Sequence, residues 1–142
     1  MDLVDEIKGL SRAQEVIVIR NAVKRAVRDN GLSIDWGVNE PLKYYSMDIP
    51  VTIGTVDLLL ADTSDSVLYV VQVNPEEATA EDVGILSAYL GWFQQSLPAP
   101  FREVKGILLA GSFGTDASLA VNTHPSLVAK IFTLTINVSI PD

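Results

Sequence analysis

The stretch GTVDLLLADTSDSVLYVVQVN, residues 54–74, decides the fold. Two apolar-rich runs, VDLLL and VLYVV, flank the small polar cluster TSDS. Ser and Asp bond their own backbone and favour turns, so residues 51–61 and 67–74 read as a hairpin. Both runs are nearly continuous in apolar character, the pattern of central strands covered on both faces. Three polar residues interrupt it. Asp57 sits in the first strand, and Gln72 and Asn74 sit near the end of the second.

Upstream, SRAQ at 11–14 places Ser at an N-cap and Gln at N3, a capping box that satisfies two otherwise orphaned amides. The helix it opens is expected to run to about Asp29, with Gly31 as its stop and residues 2–8 as an extra turn before it. Val16, Ile19, Val23, Ala26 and Val27 form an apolar stripe, which Ile17 and Val18 widen beyond one face. Arg20, Lys24 and Arg28 stack at helical spacing with Arg25 beside them, either a solvated face or a phosphate-contacting one. Residues 34–38 and 42–49 read as strands, interrupted by Pro41 and Pro50.

Downstream, Thr79 is the N-cap of a second helix, with Glu81 and Asp82 favouring the positive end of its dipole. Its core stripe is Val83, Leu86, Tyr89, Leu90 and Phe93, and Pro98 ends it. Trp92 is expected to close this helix on the core, and Tyr44 and Tyr45 to straddle a strand, one in and one out. Residues 104–110 read as a buried strand, GSFGTD at 111–116 as a turn, 116–121 as a short helix and 127–140 as a last strand. The order is α-β-β-β-α-β-α-β, an α/β fold with a mixed sheet in one domain spanning 1–142.

Composition narrows the chemistry. With 142 residues the chain has room for a real core. It has no cysteine, which excludes disulfides, thiolate metal sites and Cys nucleophiles. The single histidine, His124, sits in the turn-like NTHPS and reads as a loop residue. No apolar run reaches the ~18–20 residues of a membrane span. The acidic start MDLVDEIKGL lacks a signal-peptide apolar region, so cytoplasmic residence and no membrane partner are the expectation. The net charge of −8 disfavours nucleic acid as a partner, because phosphate affinity comes from Lys and Arg. Its distribution is uneven: residues 1–30 hold six basic and five acidic residues, net +1, against four and thirteen, net −9, in the rest. An anionic partner would meet the first helix. No P-loop, dinucleotide fingerprint or G-x-S-x-G elbow is present.

The segment from GTVDLLLAD through VLYVVQVN and EDVGILSAYLGWF to VKGILLA resembles a PD-(D/E)xK nuclease core, closest to the C-terminal nuclease domain of the archaeal and actinobacterial NucS/EndoMS endonucleases. Holliday-junction resolvases share the wider fold. The resemblance implies a restriction-endonuclease-like αβββαβ core, with a mixed sheet flanked by helices. It covers about residues 50–112 and, more weakly, the first helix. Gly54 and Asp57 match the family's first motif strand, and Val83, Gly84, Leu86 and Tyr89 match its helix. Gln72 and Asn74 stand where the family has Glu and Lys, and Ile85 stands where it has Gln.

These substitutions bear on the chemistry that the resemblance implies. There, Asp and Glu hold Mg²⁺ or Mn²⁺ beside the scissile phosphate, and Lys orients water or stabilises developing charge. Gln72 offers a neutral carbonyl, and Asn74 donates a hydrogen bond but brings no cation. Losing one electrostatic contributor typically costs ~10²–10³ in rate. The catalytic positions are thus Asp57, Gln72 and Asn74 in degenerate form, with Asp57 and Gln72 holding a divalent ion weakly if one binds. Glu15 on the first helix, Glu40 and Asp48 before the motif strand, and Glu76 and Glu77 after it are candidate replacement carboxylates.

Three readings stay open. One is a non-catalytic binding or structural subunit, a homodimer or a partner in a DNA-processing complex. The others are an active metal-dependent nuclease with a rebuilt site around Asp57, and a non-cleaving DNA binder using Arg20, Lys24, Arg25 and Arg28.

Overall fold

A computed structural model describes residues 9–133. Helix α1 spans Arg12–Asn30, and its capping box forms as the sequence requires: Gln14 N donates to Ser11 Oγ, and Ser11 N donates to Gln14 Oε1 at 2.9 Å. Strands β1 (Leu42–Val51), β2 (Gly54–Asp62) and β3 (Val67–Ala78) follow. Helix α2 (Ala80–Gln95), strand β4 (Glu103–Phe113), helix α3 (Thr115–Asn122) and strand β5 (Leu127–Ile131) complete the described chain. The sheet order is β1-β2-β3-β4-β5, antiparallel over the first three strands and parallel for β3–β4 and β4–β5. The parallel pairs are joined by α2 and α3, as crossovers between parallel strands require.

Two apolar cores lie on opposite faces of the sheet. Val23 and Val27 of α1 pack with Trp36, Leu58, Leu60, Val71 and Ile107. On the other face, Val83, Leu86, Tyr89, Leu90 and Phe93 of α2, the expected stripe in full, pack on Leu59, Val70 and Leu108. VDLLL and VLYVV are therefore central strands, as their continuous apolar character implies. The turn between them is held by Asp62, whose carboxylate accepts from Ser66 N at 2.7 Å and Val67 N at 3.1 Å. Burial alone would raise the pKa of Asp62, but these amides and the Ser64 hydroxyl outweigh it and hold the carboxyl below the ordinary Asp range.

Several local expectations are corrected. Residues 34–38 form no strand: Gly31–Ser33 is a 3₁₀ turn, and Trp36 is buried with its indole N–H donating to Gly31 O at 3.3 Å. Gly31 is the C-cap of α1, as expected, with a φ of −54° that lets the helix tighten into that turn. Tyr44 and Tyr45 are both exposed, because a bulge between Tyr44 and Ser46 breaks the alternation, and Tyr45 lies edge-on to Phe101. Strand β4 runs on through Gly111–Phe113, which reads as a turn in the sequence. The last strand is β5 at Leu127–Ile131; the expected continuation over 134–140, and the extra turn at 2–8, lie outside the described residues. Among the described residues no helix is long and apolar enough to cross a membrane.

Candidate functional site

The β2–β3 backbone ladder ends at the pair Leu58–Val71. One residue further, side chains take over. Asp57 N donates to Gln72 Oε1 at 2.8 Å, and Val73 N donates to Asp57 Oδ2 at 2.8 Å. The alternation along β2 slips at the same point. Val56 belongs to the α2-side core with Leu59 and Ala61, while Leu58 and Leu60 belong to the α1-side core. This slip brings the Asp57 carboxylate to α1. Local irregularities of this kind re-aim side chains beside active sites.

Strand β1 is irregular opposite it. Met47 pairs with Leu58 and Ile49 with Val56, so Asp48 stands across from Asp57. Asp48 has a φ of +54°, a left-handed conformation that Asp tolerates better than most residues. Two carboxylates facing each other across a ladder repel. Helix α1 supplies the answer in Lys24. Its ammonium bonds the Asp48 carboxylate and lies 3.7 Å from Asp57 Oδ1. Lys24 is only 5% exposed and Asp57 8%. Burial raises the Asp57 pKa above the ordinary Asp value; the Val73 amide and the charges of Arg20 and Lys24 pull it back down, and Asp48 adds to the rise.

Beside this cluster lies a polar cleft of about 260 Å³, lined by Arg20, Gln72, Asn74, Asp82, Ile85 and Tyr89 among others. Arg20 Nε is shielded from solvent and has no hydrogen-bond partner among the described residues. Asn74 is tied into the local backbone. Its amide donates to Asp82 Oδ2 at 2.8 Å, and its oxygen accepts from Glu76 N at 2.9 Å. Asp82 Oδ2 also accepts from Thr79 N at 2.8 Å in the capping box of α2. Asn74 thus fastens the end of β3 to the start of α2.

The expected site residues divide accordingly. Asp57, Gln72 and Asn74 converge with Arg20 and Lys24. Glu15 pairs instead with Arg12, which also reaches Glu76. Glu40 acts on Asp62 and Tyr69, at the opposite end of β2 from Asp57. Arg25 and Arg28 are exposed, Arg28 paired with Asp29 at 2.9 Å. Of the proposed replacement acids, only Asp48 joins the cluster. Lys24 as the partner of both carboxylates is the feature that sequence reasoning missed. Its signal is a lysine at the border of the apolar stripe, directly beside Val23. Ser126 N donates to His124 Nδ1 at 3.3 Å, in the loop before β5.

The residues at Asp57 do not fit a divalent ion. Mg²⁺ and Mn²⁺ seek several hard oxygen ligands with net negative charge. Here Asp57 Oδ2 and Gln72 Oε1 already accept backbone amides, and an ammonium stands against Asp57 Oδ1. No group of three or more His, Asp or Glu side chains able to hold a metal is found among the described residues.

A helix, three antiparallel strands, a helix and a parallel strand, with a polar cluster where the second and third strands part, constitute the restriction-endonuclease-like nuclease fold. The structure of a repair endonuclease from Pyrococcus abyssi is similar, at a TM-score of 0.65 and 19% identity over 78% of this chain and 45% of that one. EndoMS in its apo form gives a TM-score of 0.64 at 16% identity, covering 82% of this chain and 47% of that one. A structure described as the EndoMS-dsDNA2 complex gives 0.61 at 18% identity, covering 77% and 43%. The fold expected from the motif residues is therefore the one observed, and the chain spans less than half the length of each of these proteins. No protein-family model matches the chain, and neither does any curated protein.

Proposed function

We propose that this chain is a catalytically degenerate nuclease-fold protein that acts as a binding or structural subunit. One observation carries the reading. The Lys24 ammonium bonds Asp48 and lies beside Asp57, the acid that the motif resemblance marks as a ligand for a divalent cation. A resident lysine offsets one of the two acid charges, Arg20 adds to it at Asp57, and both repel a further cation. Gln72 and Asn74 have exchanged catalysis for architecture: one completes the β2–β3 pairing, and the other anchors α2. Exposed Ile17 on α1 and exposed Ile85 at the cleft would supply apolar contact for a second copy or for a protein of a DNA-processing complex.

The test is calorimetric titration with Mn²⁺ of the wild type, Asp57→Ala and the double variant Lys24→Gln/Gln72→Glu. Asn74 is left alone because it holds α2. The wild type should give no saturable heat, and the double variant should gain a site. Saturable wild-type binding that vanishes in Asp57→Ala, joined to Mn²⁺-dependent cleavage of branched or single-stranded DNA, would overturn the reading and establish a rebuilt active site.

A-second-copy partnership is tested separately by light scattering across concentration. A second reading, nucleic-acid binding without cleavage, draws support from the similarity to the EndoMS-dsDNA2 complex.

A further inference from the structure

Further along α1, towards its C-terminal half, lies an apolar groove of about 280 Å³. Its walls include Val23, Ala26 and Val27 of α1, Trp36, Leu109 of β4 and Phe132. Its lip is formed by Lys130 to Thr133, the last described residues. Strand β5 is one edge of the sheet among the described strands. Phe132 N still donates to Ala110 O at 3.0 Å, so the chain is held to β4 until it reaches the groove. Beyond Thr133 the sequence reads LTINVSI, with Leu134, Ile136, Val138 and Ile140 alternating with Thr135, Asn137 and Ser139. Strict alternation over seven residues is the pattern of a strand that buries one face.

We propose that residues 134–140 of the same chain pack their apolar face into this groove. A cavity of ~150 Å³ accepts a benzene-sized group, so this groove has room for about two aliphatic side chains. Covalent attachment selects the occupant. A segment that begins at the lip faces the groove at an effective concentration in the ~mM range, which a second copy does not match at ordinary dilution. The packing has a consequence for the site. Val23 and Val27 share α1 with Arg20 and Lys24, so a filled groove clamps the helix that holds the ammonium against Asp48 and Asp57.

Hydrogen exchange on the full chain, followed by mass spectrometry, tests this with two variants. Leu134→Asp/Ile136→Asp removes the apolar face of the segment, and Ala26→Phe fills the groove without touching the segment. In the wild type, amides of 134–140 should be protected. Both variants should abolish that protection, and the Asp pair should also speed exchange at residues 22–27 by about tenfold or more, the effect of ~1.4 kcal/mol of lost local stability. Unprotected amides at 134–140 in the wild type would overturn the proposal. So would Asp-pair exchange at 22–27 equal to the wild type. Protection that fades on dilution in step with a monomer–dimer transition would assign the groove to a second copy instead, and overturn it equally.

Discussion

Asp57 is a buried acid whose pKa lies above the ordinary Asp value, first because of desolvation. The sign of its contribution follows. An acid with a raised folded-state pKa favours the folded state while protonated, and that advantage is lost as pH rises through the folded value. Lys24 limits the loss. Lys24→Met should therefore destabilise the protein at pH 7 by roughly 3 kcal/mol, the low end for breaking a buried pair because Arg20 still acts on Asp57. Its deficit against the wild type should shrink as the pH falls toward 5, since Asp57 in the variant protonates more readily still. Urea unfolding of both proteins at the two pH values checks the sign; a deficit that is the same at both would show that Lys24 acts through packing rather than charge. Asp62 has the opposite sign. Its pKa is held low, so the stability its amide bonds supply is present above the unfolded value and lost as pH falls through the folded one. Asp62→Ala should cost about 1–3 kcal/mol at neutral pH and progressively less in acid.

At the scale of elements, the motif residues that recur by pattern have local physical reasons. A Cβ on Gly54 would stand 2.4 Å from the Tyr89 hydroxyl, which donates to Thr55 O at 3.3 Å. The glycine of β2 and the tyrosine of α2 are thus two halves of one contact. Gly54→Ala should cost about 1–3 kcal/mol by overpacking, and Tyr89→Phe about 1 kcal/mol for its hydrogen bond. The double variant should cost less than the sum, because removing the hydroxyl frees the space that the new methyl needs. A thermal or urea double-mutant cycle reads this directly, and strict additivity would show that the two residues do not meet. This scale also shows what the sequence made legible. The stripe of α2 and the runs VDLLL and VLYVV were readable because burial on one face or two leaves a periodicity in the sequence. Residues 34–38 were not, since Trp36 is buried through an irregular segment that has no strand to pair with. The site was half readable. Asp57, Gln72 and Asn74, singled out by the resemblance, do come together, but Lys24 and Asp48 join them through a slip in strand alternation and a left-handed residue, and neither follows from spacing.

For the whole molecule, the balance of charge decides between a protein partner and a nucleic acid. The net charge is −8, and the one region with a positive excess is residues 1–30. The fold spends much of that excess internally. Lys24 is buried against two carboxylates, Arg12 pairs with Glu15 and Glu76, and Arg28 pairs with Asp29. Arg20 turns into the polar cleft. Counterion release scales with the number of phosphates a surface neutralises, and few cations of α1 stand ready for that purpose. Fluorescence anisotropy with duplex and single-stranded oligonucleotides at physiological salt should therefore give a Kd no tighter than the non-specific range of ~10⁻⁴–10⁻⁶ M. Whatever binding appears at low salt should have a shallow salt slope, consistent with one or two phosphate contacts. A tighter Kd with a steep slope, reduced by Arg25→Ala and Arg28→Ala while Lys24→Met leaves it unchanged, would place DNA on the exposed face of α1. The binding-subunit reading would then become one of nucleic-acid binding without cleavage, because the Lys24 ammonium would still stand against Asp57.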